Sequence, residues 1–274
     1  MTLERVVDLN DARLTLVELA GESTVESGSV RLELARPVAR LTIDNPGASN
    51  AMTIRMMAQL AEAVLALGGW DGAALVLSAV PGRAFCAGGH LRDVRRVVDA
   101  PERAHRMAMA MGTVLDALLS LPITSVAAVS GLAVGGGAEL ITAVDHRVFD
   151  SSGRVHFVHG RLGIAPGWGG TGRLVAHVGR ARALTMLHEA QVLDGPATAQ
   201  LGFGLGCEGD AVDAAERILA PVLAMPVAAA RALKSQVAVQ RGPSALTAEA
   251  DAFAEVWGGP AHTAALERLA RHSR

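Results

Sequence analysis

The sequence predicts an α/β fold whose strands are mostly parallel. Two short apolar runs, residues 74–78 and 125–130, have the composition of strands buried on both faces of a sheet. Segments with a helical spacing of apolar residues, 52–67 and 102–120, precede these runs. Strands that alternate with helices favour parallel connections, and the helical pattern beyond Thr171 predicts a helical C-terminal part.

The composition indicates one large globular domain and argues against several other classes of protein. The chain has 274 residues, a net charge of -2 and 50% hydrophobic residues, which disfavours both wholesale disorder and a basic nucleic-acid-binding surface. The two cysteines, Cys86 and Cys207, are too few for a disulfide framework and fit a reducing compartment. We find neither a membrane-length apolar run nor a signal sequence, so we expect a cytoplasmic protein that contacts no membrane and no nucleic acid.

The chain is expected to have three parts. They are an N-terminal extension over 1–28, a core over 29–206 and a C-terminal helical region over 207–274. The extension is expected to be an arm or disordered, although both a strand and a short helix remain open for residues 7–19. A polar break at 21–28 separates this segment from the core.

The core is predicted to begin with a hairpin and a helix. Strands other than the two buried runs are expected at 30–34, 38–43, 144–149 and 155–158. The first two are joined at Arg36-Pro37, which turns the chain and so predicts a hairpin. Thr53 is the expected N-cap of the helix that follows.

Two glycine-rich loops, at 84–91 and 131–140, follow the buried strands. Ligands of open α/β sheets bind beyond the carboxyl ends of strands, and glycine lets backbone N–H groups approach a ligand closely. The second loop runs into a helix whose first N–H groups are unpaired. Together the loops predict two N–H donors on one oxygen, an oxyanion hole. For either loop alone, glycines that only shape a tight turn are the competing interpretation, whereas residues 135–140 fit no dinucleotide or P-loop motif.

Two side chains near these loops are candidates for acid–base chemistry. Glu139 lies in the first turn of the second loop's helix, where it either faces the pocket or only complements the helix dipole. His159 precedes a segment rich in glycine and proline, and a structural role competes with a catalytic one. Cys86 is expected to be a small packing residue rather than a nucleophile. The nine histidines show no spacing typical of metal ligands, so no metal site is expected.

Four stretches of the chain carry a specific combination of motifs. They are Asp44-Asn-Pro46 with Asn50-Ala51, Ala84-Phe-Cys-Ala-Gly-Gly-His-Leu91, residues 123–140 and residues 162–174. In this order and spacing they resemble the crotonase superfamily, the enoyl-CoA hydratase/isomerase proteins, over residues 29–274. The resemblance implies a ββα spiral core with a C-terminal helical trimerisation region. It also implies a homotrimer or hexamer that binds an acyl-CoA thioester and needs no cofactor besides the CoA of that substrate.

The resemblance assigns roles to individual residues. The thioester oxygen would lie between the backbone N–H groups of Gly89 and Gly136, and Glu139 corresponds to one of the two carboxylates of a hydratase. The residues expected to contact the substrate are Ala87, His90, Arg92, Gly135 and Trp168.

Three of these contact residues have particular interpretations. His90 stands where crotonases often have Asp, and Arg92 replaces a usual Lys and could meet a CoA phosphate. Trp168 is a candidate wall of the substrate pocket, with packing under its glycine-rich turn as the alternative.

The sequence departs from a hydratase at the position of the second carboxylate, which here is His159. Residues 154–174 and 256–261 are similar to a subgroup of the superfamily, the ethylmalonyl-CoA and methylmalonyl-CoA decarboxylases. Residues 56–57 and 69–70 add to that similarity. The subgroup implies decarboxylation of ethylmalonyl-CoA or methylmalonyl-CoA through an oxyanion-stabilised thioester enolate.

Several alternatives stay open at this point. The enolate would take its proton from His159 or from Glu139, and Glu139 is expected to be either protonated or paired with His159. A hydratase or isomerase that uses Glu139 is one competing function. Two others are a decarboxylase or hydratase of carrier-bound acyl thioesters in secondary metabolism, and a non-catalytic acyl-CoA-binding protein.

Overall fold

The computed structural model describes residues 3–237, 250, 253–254 and 257–272. Its strands are β1 Ser29–Ala35, β2 Val38–Asp44, β3 Ala74–Ala79, β4 Thr124–Val129, β5 Leu132–Val134, β6 His146–Phe149, β7 Arg154–His156, β8 Leu193–Asp194 and β9 Leu205–Gly206. The main sheet has the strand order β1-β2-β3-β4-β6-β9, and β5, β7 and β8 form a second sheet. The short strands expected at 144–149 and 155–158 are therefore confirmed as β6 and β7.

The main sheet is antiparallel at one edge and parallel elsewhere. β1 and β2 form the predicted hairpin, with Ala35 opposite Val38 next to the turn. β2, β3, β4, β6 and β9 are parallel neighbours, which confirms the predicted parallel connections. Most residues of β3 and β4 are buried, as expected for strands covered on both faces.

The helices cover both faces of the main sheet. They are α1 Leu3–Gly21, α2 Ile54–Gly69, α3 Leu91–Val97, α4 Pro101–Ser120, α5 Gly136–Ile141, α6 Gly170–Val178, α7 Arg180–Glu189, α8 Gly195–Leu201, α9 Ala211–Leu223, α10 Val227–Val237 and α11 Pro260–His272. Alternate residues of β3 point to opposite faces. Leu75 and Leu77 join the larger core with α2 and α4, whereas Ala74 and Val76 pack with α9.

The start of α2 is capped as the sequence predicts. The Thr53 side chain accepts a hydrogen bond from the Met56 N–H, at 3.2 Å, and Thr53 is fully buried. The cap satisfies one of the N–H groups that a helix leaves unpaired at its start. It also fixes the direction in which the chain leads from Met52 into α2.

The expectation of an arm or a disordered segment over 1–28 is wrong for residues 3–21, which form α1. Its buried side chains recur every three or four positions: Leu9, Ala12, Leu16 and Leu19. That spacing places them on one face of a helix, and this face packs against α2 and α4. Of the two structures left open for residues 7–19, the helix is confirmed.

The predicted helical C-terminal part is confirmed for the described residues beyond Thr171, with the short strands β8 and β9 as exceptions. The domain boundaries after 28 and 206 and the trimerisation of the C-terminal region stay predictions. Residues 238–249 of that region lie outside the described residues. No single helix in the described part of the chain is long and apolar enough to span a membrane, and α9 and α10 reach that length only as a pair bent by 102°.

Replacement of Leu16 by Ala tests whether α1 belongs to the core. Leu16 is 0% exposed, so Leu16→Ala is expected to lower the free energy of unfolding by about 2–5 kcal/mol in urea denaturation. The matched control is Leu14→Ala on the same helix, where the side chain is 53% exposed and the expected change is within about 0.5 kcal/mol. Equal effects of the two substitutions would contradict the packing of α1 on the core.

Candidate active site

The first glycine-rich loop is held by backbone pairing with Met52. The Met52 N–H donates to the Gly88 carbonyl and the His90 N–H donates to the Met52 carbonyl, each at 2.8 Å. Both bonds lie on one side of the loop, so the N–H of Gly89, between them, points to the other side. Within the described residues the Gly89 N–H donates no backbone hydrogen bond.

The second glycine-rich loop ends in the N-terminus of α5. Gly135 adopts φ +54° and its N–H donates to the His156 carbonyl at 3.0 Å. Gly136 begins α5, where its N–H has no acceptor within the helix and donates no backbone bond elsewhere in the described part. A Cβ atom at Gly88 would lie 3.0 Å from the Gly136 nitrogen, so the two loops are in backbone contact.

The Glu139 carboxylate binds a third segment, the turn over residues 167–170. Oε2 accepts hydrogen bonds from the N–H groups of Trp168, at 2.7 Å, and Gly170, at 3.0 Å. Oε1 accepts from Gly167 N–H at 3.3 Å and lies 3.1 Å from His159 Nε2. The carboxylate therefore holds a distant turn and does not cap its own helix.

The charge state of Glu139 follows from these contacts. Burial alone favours the neutral acid and raises the pKa of Glu139. The hydrogen bond and charge of His159, the Trp168 N–H and the charge of Arg173 outweigh burial and lower the pKa of Glu139 below its ordinary value. Of the two expected states, protonated or paired with His159, the structure shows the pair.

His159 presents one free ring nitrogen inside the protein. The residue lies on a 3₁₀ turn, His159–Leu162, and is 4% exposed. Because the Glu139 carboxylate only accepts hydrogen bonds, we assign the proton of that contact to Nε2. Nδ1 is buried and has no hydrogen-bond partner. Among the described buried side-chain nitrogen and oxygen atoms, only Arg103 Nε also lacks a partner. Nδ1 is thus the atom of the pair that the protein leaves without a hydrogen-bond partner.

Trp168 forms an apolar wall beside both loops. The residue is 4% exposed, and its ring lies against Gly136, where a Cβ atom would meet the ring at 2.6 Å. A Cβ atom at Gly89 would lie 3.8 Å from the same ring, 3.2 Å from Val94 and 3.7 Å from Met57. The ring therefore packs against both loops, and this favours the pocket-wall interpretation over packing under its own turn.

Arg173 anchors the Trp168 turn from behind, a role that the sequence analysis missed. The side chain is fully buried and donates to the Trp168 carbonyl, to Thr142 Oγ1 at 2.9 Å and to Asp116 at 2.6 Å. An arginine in the first turn of a helix, directly after a glycine-rich turn, is the signal available in the sequence. Burial of such a charge requires this set of acceptors.

The other predicted contact residues lie around the first loop. The Ala87 N–H donates to the Ser49 carbonyl at 3.2 Å, and His90 Nδ1 accepts the Asp93 N–H at 3.4 Å as the N-cap of α3. Arg92, one residue into α3, is exposed. The structure thus brings the first loop's residues together at the start of α3, while their contact with a substrate stays a prediction.

Two other predictions concern cysteine and metal chemistry. Cys86 is fully buried, and burial raises the pKa of its thiol to about 12, which fits a packing residue and not a nucleophile. Within the part of the chain that the structure describes, no cluster of three or more His, Cys, Asp or Glu residues is arranged to hold a metal ion.

The Glu139 contacts predict a pH-dependent contribution to stability. Glu139→Gln places an amide N–H group against the backbone N–H groups that now meet an oxygen, so we expect a loss of about 1–3 kcal/mol in the free energy of unfolding at neutral pH. Because the pKa of Glu139 is lowered in the folded state, its ionised form stabilises the protein above the ordinary pKa of a glutamate. This contribution is lost as the pH falls through the folded pKa, so the difference from the wild type should shrink in acid.

The matched control for this measurement is Glu33→Gln, an exposed glutamate on β1. It is expected to leave the denaturation midpoint unchanged at every pH. A Glu139→Gln variant as stable as the wild type at neutral pH would show that the 167–170 turn does not depend on the carboxylate.

Comparisons with known proteins agree with this geometry. The enoyl-CoA hydratase/isomerase family matches residues 33–265. The chain is 39% identical to an ethylmalonyl-CoA decarboxylase of Danio rerio over 89% of this chain and 85% of that one. It is 35% identical to the ethylmalonyl-CoA decarboxylase of Homo sapiens over 85% of this chain and 78% of that one.

The fold also matches solved structures. A crystal structure of enoyl-CoA hydratase from Bacillus halodurans superimposes with a TM-score of 0.77 at 20% identity, over 87% of this chain and 99% of that one. The crotonase-like α/β core expected from the sequence is therefore confirmed. From the family match and the two relatives, this chain belongs to the enoyl-CoA hydratase/isomerase family.

Proposed function

We propose that this chain is an acyl-CoA decarboxylase that removes carbon dioxide from a branched malonyl-CoA, either ethylmalonyl-CoA or methylmalonyl-CoA. The observation that carries the proposal is the Glu139–His159 pair. Glu139 is occupied by three backbone N–H groups and by His159, and His159 stands in place of the second hydratase carboxylate. The curated relatives named ethylmalonyl-CoA decarboxylase support the same reaction.

The two glycine loops supply the stabilisation that decarboxylation needs. When the bond between Cα and the carboxylate breaks, its electron pair moves into the thioester and forms an enolate whose oxygen carries the new charge. We assign the N–H groups of Gly89 and Gly136 to that oxygen. Neither N–H group takes part in the backbone hydrogen bonds that hold the two loops, and neither donates a backbone hydrogen bond elsewhere in the described part. Loss of one such donor typically raises a barrier by about 3 kcal/mol.

The apolar side of the site favours departure of the carboxylate as neutral carbon dioxide. The space next to the Gly89 Cα atom is lined by three uncharged side chains, those of Trp168, Val94 and Met57. A carboxylate placed there loses its hydration without gaining strong donors, so the neutral product is favoured relative to the charged substrate. The Glu139 charge does not oppose binding strongly, because His159 and three N–H groups already compensate it.

We assign the proton donor to His159. As an imidazolium paired with Glu139, it carries a proton on Nδ1, and that proton passes to Cα of the enolate while the enolate's electron pair forms the new C–H bond. The ring then regains a proton from water. Glu139 positions the ring and stabilises its charge but does not donate, since its oxygens serve as acceptors.

The assignment to CoA thioesters, the assembly and the location are part of the same proposal. Arg92 is exposed beside the first loop, where its guanidinium suits a CoA phosphate.

Cleavage of a malonyl thioester uses the thioester itself as the electron sink, so we propose no cofactor besides the CoA of the substrate. We propose a cytoplasmic homotrimer or hexamer joined through the C-terminal helices, and the two free cysteines fit a reducing compartment.

A panel of thioesters tests the reaction. Purified protein is incubated with malonyl-, methylmalonyl-, ethylmalonyl- or crotonyl-CoA, and products are followed by mass spectrometry. Loss of carbon dioxide from a branched malonyl-CoA, with crotonyl-CoA unchanged, is the expected result. Addition of water to crotonyl-CoA with all malonyl thioesters intact would replace the proposal by a hydratase that uses Glu139.

Replacement of His159 tests the proton donor. His159→Ala is expected to slow turnover at least about a hundredfold, because it removes a general acid. In D2O the wild type should place deuterium on one face of Cα, whereas the variant's product should be labelled on both faces.

The matched control is His156→Ala. His156 lies three positions earlier and its ring contacts only the Ala190 carbonyl, at 2.9 Å, among the hydrogen bonds described for it. Near-normal turnover and stereospecific labelling are expected there. The same behaviour in His159→Ala would remove His159 from the mechanism.

A further inference from the structure

We infer that Ser23, in the N-terminal segment, positions the backbone N–H of Gly89 for the enolate oxygen. The inference rests on the proposed function, because it concerns the same oxyanion site. It gives the N-terminal segment a part in the reaction through a hydrogen bond to the start of α3. Ser23 is a positioning residue that acts through Asp93 and His90.

The link begins with a buried hydrogen bond. Ser23 Oγ donates to Asp93 Oδ1 at 2.7 Å, and the two residues are 5% and 1% exposed. The same hydroxyl accepts the Val25 N–H at 3.2 Å, which fixes its orientation. A bond between residues 70 positions apart, away from solvent, ties the segment after α1 to the start of α3.

Asp93 in turn joins the starts of two helices. Its Oδ2 accepts the N–H of Ile54, the first residue of α2, at 2.8 Å. Its own N–H donates to Nδ1 of His90, the N-cap of α3, at 3.4 Å. One side chain therefore holds together the two backbone segments that lead into α2 and α3.

These two segments are the ones that orient Gly89. Met52, two residues before Ile54, pairs with Gly88 and His90 on either side of Gly89. The direction of the Gly89 N–H depends on this pairing, and the pairing depends on the relative placement of α2 and α3. Asp93 sets that placement, and Ser23 supplies the donor for the Asp93 oxygen that Ile54 does not use.

Contacts on both sides of Ser23 fix the N-terminal segment, so Ser23 keeps its position relative to Asp93. Helix α1 packs on α2 and α4, and Glu22 pairs with Arg103 of α4 at 2.5 Å. At the other end, Gly28 fits so closely that a Cβ atom there would lie 2.6 Å from Met56 Sδ. Removal of the Ser23 hydroxyl leaves Asp93 Oδ1 buried without this donor, and a shift of the α3 start is the available relief.

The experiment compares Ser23→Ala with Thr24→Ala, the adjacent residue. Thr24 also uses its hydroxyl on α3, but it accepts from exposed Arg96 and has no link to Asp93. Each variant is assayed for kcat and KM with the preferred malonyl thioester. The infrared stretch of the thioester carbonyl is recorded for bound butyryl-CoA labelled with carbon-13, a saturated thioester that has no carboxylate to lose.

We expect Ser23→Ala to lower kcat about tenfold, since one oxyanion donor is misaligned and not removed, with KM changed less than twofold. Its bound carbonyl stretch should move back toward the value of free butyryl-CoA. Thr24→Ala should match the wild type in both measurements, and Ser23→Thr, which keeps a hydroxyl, should restore kcat and the carbonyl shift.

A Ser23→Ala variant whose correctly folded fraction shows wild-type kcat and carbonyl stretch would overturn the inference. So would a wild type that binds butyryl-CoA without any shift of the carbonyl stretch, because no oxyanion site would then exist to be positioned. A wild type that shifts the carbonyl and responds to Ser23→Ala, yet decarboxylates no malonyl thioester, would sustain the inference and refute the proposed reaction alone.

Discussion

The buried carboxylate of Glu139 is the group on which the arrangement of the site depends. It reaches from α5 to the turn that carries Trp168 and to the ring of His159, so that one side chain joins three segments of the chain. An ionised carboxylate in the interior is costly unless its oxygens are fully paired. Three backbone N–H groups and the imidazole provide that pairing, and the same contacts fix the backbone of the turn and the orientation of the ring.

In the proposed function, the contacts of Glu139 also separate two environments around the thioester of the substrate. On the side of the thioester oxygen lie the N–H groups of Gly89 and Gly136, which suit a developing negative charge. On the side of the carboxylate lie Trp168 and its apolar neighbours, which suit a neutral product. In the proposed reaction, a site built in this way would bind the enolate better than the malonyl ground state, and this difference would accelerate the reaction. Arg173 supports the division indirectly, because it holds the carbonyl of Trp168 and its own charge is paired with Asp116.

The parts of the fold that the sequence predicted have local signals. The runs that form β3 and β4 are mostly apolar, and Thr53 precedes a clear helical period. The segment of α1 is expected from the sequence to be an arm or disordered, yet its buried residues keep a helical spacing. The spacing was present in the sequence, but only the partner helices show that it is used for packing.

The contacts that define the site have no local signal. Glu139 and the turn at 167–170 are 28 to 31 positions apart, and Ser23 and Asp93 are 70 positions apart. No periodicity or capping rule relates residues over such distances, so the pairing of Glu139 was predicted only as one of two states and the Ser23 link was not predicted at all. What the sequence did carry was residue type at motif positions, and this was sufficient to name Glu139, His159 and both glycines before their geometry was seen.

In the proposed function, the identity of residue 159 adapts the charge of the site to an anionic substrate. The group at this position lies 3.1 Å from Glu139, a distance at which two carboxylates would compete for a single proton. In the proposed mechanism an imidazolium at this position makes the pair neutral overall, so a malonyl thioester brings its own negative charge without facing a second one. In the proposed reaction that charge moves to the enolate when carbon dioxide leaves, and an imidazolium at residue 159 would serve as both its counter-ion and its acid. The exchange of one side chain thus fits the site to the charge of the substrate before the bond breaks and to that of the enolate afterwards.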